Sequence, residues 1–353
     1  MEKILIKNGR VWDGERFFYA DILTNGDRIA KIEPDITEAA EFVFDASGKT
    51  VSAGLVDGHI HMKGISTDKY GICTEAVCFP FGVTAAVDCG AELGDVATLS
   101  DIAVKNAVFV ISEIIDNKAR LDITAELIKK NGDRAVGVKG YFDSSSGDVR
   151  DTAPLKEICE FAHNKSLKVM VHCNGSPSPM AEILSCLEGG DVLTHAYHGG
   201  KNTARDDGFS SIIEAKGRGV IIDAGLAGHV HTDFSVFAEA VRLGATPDVI
   251  STDVTNRSAF VRGGKYSLNM CMSIAEDMGM SEEAVFRAVT VAPALAMGRA
   301  WGRLTVGGVA DITVLDREGV GYSLTDAGGN HIENKGGYRC LLTLSAGQIV
   351  FKN

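Results

Sequence analysis

A chain of 353 residues with 45% hydrophobic content can bury one large core or two ordinary ones, which excludes a disordered chain. Its formal net charge of -12, with no basic run anywhere, argues against nucleic acid as a partner and leaves a small-molecule substrate as the expectation. The start "MEKILIKNGRVWDG" has no long apolar region, and nowhere do about eighteen apolar residues run together, so neither export nor a membrane span is expected and the chain reads as cytoplasmic.

From the N-terminus, "KILIKNGRVWDGERFFYADILTNGDRIAKIEP" alternates apolar and polar residues around NG, DG and NGD turn signals, which predicts short antiparallel strands and hairpins. The closing stretches "GRLTVGGVADITVLD" and "CLLTLSAGQIVFKN" have the same texture. The two chain ends, residues 1–53 and 301–353, are therefore expected to pair into one small β-sandwich domain, with residues 54–300 as a second domain between them.

Between the ends the texture changes to compact apolar runs, each followed by a helix-like segment: "GLVDGHIH", "VTAAVDCG", "VFVISEII", "AVGVKGYF", "KVMVHCNG", "DVLTHAYH", "GVIIDAG" and "DVISTDVT". Continuous Val/Ile-rich runs fit strands buried on both faces, and their alternation with helices predicts parallel βα units. Among the helices, Leu155, Ile158, Cys159 and Ala162 form an apolar stripe behind an Asp151 N-cap, and Phe234, Phe237, Ala238 and Val241 form another that ends at Gly244. Eight such units over about 250 residues predict a (β/α)₈ TIM barrel. A doubly wound open sheet is the competing architecture, but it would place GxGxxG after the first strand, where this chain has HIHMKG. The eight cysteines (73, 78, 89, 159, 173, 186, 271 and 340) include no CxxC pair and fit reduced thiols rather than a disulfide framework.

In "GLVDGHIHMKG", His59 and His61 point the same way from an extended strand, as Asp57 does. Taken alone, the pair fits either a hydrogen-bonded core or a metal ion. The ends of the other runs bring Lys139 on the fourth, His172 on the fifth, His195 on the sixth and Asp253 on the eighth. Barrel chemistry sits at these C-terminal strand ends, and four histidines, a lysine and an aspartate gathered there point to a metal site.

These residues, with the phrases "AGLVDGHIH", "VTVAPALAMG" and "GRLTVGGVADITVLD", resemble the amidohydrolase superfamily of metal-dependent hydrolases over the whole chain. Lys139 in "VGVKGYF" resembles the binuclear branch, which includes dihydroorotase, hydantoinase and an amidohydrolase/deacetylase group. The last is nearest, by the spacing around Lys139, by "STD" at 251–253 and by the lack of an arginine after the HxH. The resemblance implies His59, His61 and Asp253 on one metal, His172 and His195 on the other, and a carbon dioxide-derived carbamate on Lys139 between them with a bridging hydroxide. It implies two divalent ions, zinc by ligand type, with Asp253 as the catalytic proton carrier. The lysine supports this reading, since a protonated ammonium has no lone pair for a metal, whereas a buried amine loses its proton readily. The other account of Lys139 is a substrate-binding cation beside a single metal.

The implied reaction is hydrolysis of an amide or ester bond, deacetylase-like, on an N-acyl or O-acetyl compound. Its rivals are a cyclic amidase of the dihydroorotase/hydantoinase kind, in which HxHxR is usual where this chain has Lys63, and a mononuclear deaminase, for which "HCNGSPSP" lacks the expected glutamate. A catalytically dead scaffold would have lost ligands, and here every ligand position is filled. His198 and His231 are candidates for substrate binding, with His229 beside them and Tyr141, Asn174 and Arg257 as weaker ones. His163 is expected on a solvated helix face, and "YFDSSSGD" reads as a lid or an exposed connector. Relatives often form dimers or tetramers, so the resemblance leaves a homo-oligomer open.

Overall fold

The computed structural model describes residues 2–62, 73–91, 102–143, 148–227, 230–261, 267–317, 321–334 and 336–353. Seven parallel strands, Leu55–Ile60, Val83–Ala91, Lys105–Ser112, Ala135–Phe142, Lys168–Cys173, Val192–Thr194 and Ile221–Asp223, pair in sequence order into one sheet. Their apolar runs serve two cores at once. Val87, Cys89, Phe109, Met170 and Val192 fill the barrel interior, while Ala86, Val108, Val110, Val138, Val169 and Val171 join the larger core that the helices cover. The protein is a TIM barrel with a β domain built from both termini.

The eighth run closes the barrel without a regular ladder. Isolated parallel bridges join Val249 to Asp223 and Val254 to Ile60. Between them Ala224 donates to Val249 O, Leu226 to Ser251 O, and Asp253 to His59 O at 2.7 Å. The pleat is interrupted because Asp253 takes a left-handed φ of 46°, which turns the chain at the point where its carboxylate enters the barrel mouth.

The expected helices form with small shifts. In Ala153–His163 the stripe Leu155, Ile158, Cys159 and Ala162 is buried, and the N-cap is Thr152, with the Asp151 carboxylate accepting from the Ala153 N–H at 2.8 Å. In Phe234–Arg242 the buried face is Phe234, Val236, Phe237 and Ala240, whereas Ala238 and Val241 are half-buried. His163 is not simply solvated: its Nε2 meets the buried Asp191 carboxylate at 3.0 Å. All eight cysteines are free thiols. No helix among the described residues is long and apolar enough to cross a membrane.

The termini meet as expected, in one eight-stranded sheet. The seam is Thr50–Ala53 against Ile312–Asp316, antiparallel, with Ile312 opposite Ala53 and Leu315 opposite Thr50. Ile4, Ile6, Val11, Val51, Ile312, Val314, Leu342 and Leu344 form its own core. One C-terminal piece stands apart from this sheet. The hairpin Tyr322–Thr325/His331–Asn334 lies against the barrel's helices, where Asn334 Nδ2 donates to Asp277 at 2.8 Å and Asp326 accepts from the Phe234 N–H at 2.6 Å.

Candidate metal centre

The strand ends deliver the predicted side chains to one mouth. His59 and Lys139 are fully buried, as is His195, and His61, His172 and Asp253 are nearly so. His59 Nε2 and His61 Nε2 each lie 3.2 Å from Asp253 Oδ1, and His195 Nε2 lies 3.6 Å from Asp253 Oδ2. The Lys139 Nζ is 2.7 Å from His59 Nε2. The His172 and His195 rings meet edge-on at 4.5 Å. Among the described residues, two groups able to hold a metal ion result, His59/His61/Asp253 and His172/His195/His231.

Burial sets the protonation. It pushes His172 down to about 3 against the pull of Asp143, and with the neighbouring imidazoles it holds His195 far below the usual histidine range. These rings are neutral at physiological pH, the form that offers a lone pair. Burial opposes a charge on Asp253, but His59, His61 and His195 overcome it and keep the carboxyl well below its ordinary value.

The hydrogen bonds behind the rings decide which nitrogen faces the mouth. His195 donates Nδ1–H to the Gly225 carbonyl at 2.6 Å, which leaves its buried Nε2 without a hydrogen-bond partner. His59 Nδ1 lies 3.1 Å from Thr194 Oγ1 and 3.4 Å from Asp223 Oδ2. Asp223 in turn accepts from the Thr194 and Ser251 hydroxyls, both at 2.7 Å. Imidazoles oriented through Nδ1, with a bare Nε2 aimed at a carboxylate, fit divalent-metal ligation. Asp57, two residues before His59, accepts from Thr252 Oγ1 at 2.7 Å and from the Thr252 N–H at 3.1 Å, which ties the first strand to the segment that carries Asp253.

Other sequence candidates fall in and out of this arrangement. His231 is brought in, with its ring 4.4 Å from His195 and 5.1 Å from His172. Asn174 reaches His231 Nδ1 at 2.8 Å, and the Tyr141 ring lies 4.8 Å from His172. His198 is buried, held below its usual range at about 4 by burial, and accepts from the Gly200 N–H at 3.1 Å. Arg257 is exposed at the start of a π-helical turn. His229, Lys63 and residues 144–147 of the "YFDSSSGD" loop lie outside the described residues. Sequence reasoning missed Asp223, Thr194, Ser251 and Gly225. Asp223 and Thr194 end the strands in "GVIIDAG" and "DVLTHAYH", so reading every strand end would have found them.

A parallel barrel that gathers histidines and an aspartate at its C-terminal mouth defines a TIM-barrel protein with a candidate metal-binding site where such barrels place their chemistry. Residues 50–335 match the amidohydrolase family, and the chain belongs to it. It is 28% identical to a deacetylase of Enterococcus faecalis over 98% of this chain and 98% of that protein. Among solved structures it is similar to a dihydroorotase (TM-score 0.87, 24% identity, 100% of this chain and 98% of that one). It is also similar to an adenine deaminase (TM-score 0.85, 25% identity, 100% of both chains). The enzyme is an amidohydrolase-type hydrolase acting on carbon–nitrogen bonds.

Proposed function

We propose that this chain is a binuclear metal-dependent hydrolase that cleaves the amide or ester bond of a small N-acyl or O-acetyl compound. The observation that carries the reading is the convergence of two ligand groups on Asp253, with the buried Lys139 amine against His59 of the first group. His59, His61 and Asp253 would hold one divalent cation and His172 and His195 the other, zinc by the preference of imidazole and carboxylate donors. Lys139 would join them as a carbamate, formed when its neutral Nζ attacks carbon dioxide and releases a proton. Two such cations, when bound, supply Lewis acidity that polarises a carbonyl and acidifies water.

The chain's own residues do the rest. Asp253, held ionised, takes a proton from the attacking water and returns it to the leaving nitrogen or oxygen. His198 and His231 would be the candidate contacts to the acyl compound. The division into a terminal β domain (1–53 with 301–353) and a barrel (54–300), an intracellular location and self-association belong to the same proposal.

The test pairs metal analysis with a substrate screen. The purified protein is expected to carry near two metal equivalents and to hydrolyse members of a panel of N-acetyl and N-formyl amino acids and O-acetyl hydroxy acids. The Lys139→Ala variant should lose metal and turnover, with partial rescue by small carboxylic acids. Full activity in that variant rejects the carbamate. Turnover confined to cyclic amides, or release of ammonia alone, replaces the acyl substrate.

A further inference from the structure

The imidazoles gathered at the mouth do not all present the same nitrogen chemistry. His195 gives its Nδ1 hydrogen to the Gly225 carbonyl, and His59 faces Asp223 and Thr194 with Nδ1; each therefore turns a bare Nε2 inward. His231 is held in the opposite sense. The partner of its Nδ1 is the side-chain amide nitrogen of Asn174, at 2.8 Å. An amide nitrogen has only hydrogens to give, so Nδ1 accepts, and in the neutral ring the one proton resides on Nε2.

That Nε2 faces the centre. It lies 3.9 Å from Asp253 Oδ2, too far for a hydrogen bond between them. The half-buried His231 ring packs on His195 at 4.4 Å and on His172 at 5.1 Å. An N–H held beside the carboxylate that handles the water's proton is placed where the oxygen of an attacked carbonyl gains negative charge. The same proton occupies the lone pair that a metal would need. The His172/His195/His231 group thus divides into two ligands and one donor.

We propose that His231 donates from Nε2 to the carbonyl oxygen of the bond being cleaved, and that Asn174 is the positioning residue that fixes this tautomer. The proposal rests on the reading of the mouth as an acyl-cleaving centre. The oxygen it would hold belongs to any acyl group, which leaves the leaving group to be chosen by the loops.

Long-range ¹H–¹⁵N correlation of histidine-labelled, zinc-loaded protein reads the tautomer directly, with His231→Ala identifying the signal. The expected pattern is Nε2–H. Asn174→Asp, whose ionised carboxylate can only accept, should convert it to Nδ1–H. Both His231→Ala and Asn174→Asp should keep near two metal equivalents while kcat falls about 100-fold with KM changed only a few-fold. His231→Gln, which retains an N–H donor, should recover part of the loss. An Nδ1–H pattern in the unaltered protein, or loss of one metal equivalent on His231→Ala, overturns the assignment. If His231→Ala fails to fold, the spectral change on Asn174→Asp decides. If no acyl compound is turned over by the unaltered enzyme, the functional reading falls while the spectrum still scores the tautomer.

Discussion

Gly225 shows how closely the centre is fitted around single residues. Its carbonyl fixes His195, its φ is +50°, and a Cβ there would stand 2.3 Å from Thr194 Oγ1 and 2.6 Å from His195 Nδ1. Both contacts are far inside van der Waals range, and the backbone conformation is one that only glycine takes readily. Gly225→Ala is expected to cost about 1–3 kcal/mol and to weaken metal binding 10-fold or more, because the ring whose Nε2 would ligate must swing away. Thermal unfolding and competitive metal titration measure the two effects, and unchanged metal affinity would remove Gly225 from the orienting shell. The residues that could reach a metal were legible from sequence, since a side chain that ends a buried strand has few places to point but the mouth. The orienting residues were less so. Asp223 and Ser251 act through hydrogen bonds that join strand six, strand seven and the closing segment, and nothing in a linear run of apolar residues marks which polar group behind the ligands will meet which ring.

At the level of elements, the alternation of runs and helices carried the barrel, because strands buried on both faces must be apolar throughout. The departure at the eighth run has a local cause. A left-handed Asp253, like the left-handed His195 at φ 63°, bends the chain at the mouth, and no residue type in "DVISTDVT" announces that turn. The helix after the seventh strand offers a sharper test of position. Asp233 caps Phe234–Arg242 by accepting from the Ser235 and Val236 N–H groups at 2.9 and 3.1 Å, and Asn330 of the C-terminal hairpin donates to the same carboxylate at 3.1 Å. Asp233→Ala is expected to destabilise the protein by about 1–2 kcal/mol, the usual cost of a lost cap. Burial would raise the Asp233 carboxyl, but the Ser235 and Val236 bonds hold it below its usual value. Its contribution is therefore present above the unfolded carboxyl value and lost as pH falls through the lower folded one. Chemical denaturation of both proteins at neutral pH and in acid measures this, and a difference that grew on acidification would contradict the cap.

Across the whole molecule, one carboxylate joins the two chain ends to the barrel. Glu282, at the start of the helix Glu282–Ala288, receives both terminal nitrogens of Arg10 at 2.9 Å. It also lies 3.2 Å from Arg317, which itself grips Glu276 and stacks on Tyr338. Arg10 belongs to the first strand of the terminal sheet, and Arg317 follows the strand Ile312–Asp316, so both halves of that sheet are tied to the barrel at one point. Trp12 reinforces the junction, packing on Phe17 and Phe286 and donating to Thr290 Oγ1 at 3.2 Å. The sequence announced that the ends would pair with each other, through their shared alternation, but not where they would attach, because an Arg–Glu pair separated by 272 positions leaves no local trace. Glu282→Gln keeps the shape and removes the charge that two guanidinium groups share, and is expected to cost about 1 kcal/mol at neutral pH, since paired side chains one-quarter to one-third exposed are partly screened. Burial alone would raise the Glu282 carboxyl, and the two arginines more than offset it, so the folded state holds it below its ordinary value. The unfolded chain then binds the proton more readily. The stabilisation is complete above about pH 5 and drains away as acid titrates the folded carboxyl. Melting curves of the two proteins should differ most near neutrality and converge as the pH falls through the lowered folded carboxyl value, and a gap that persisted once that carboxyl was protonated would mean that Glu282 holds the domains together by packing rather than by charge.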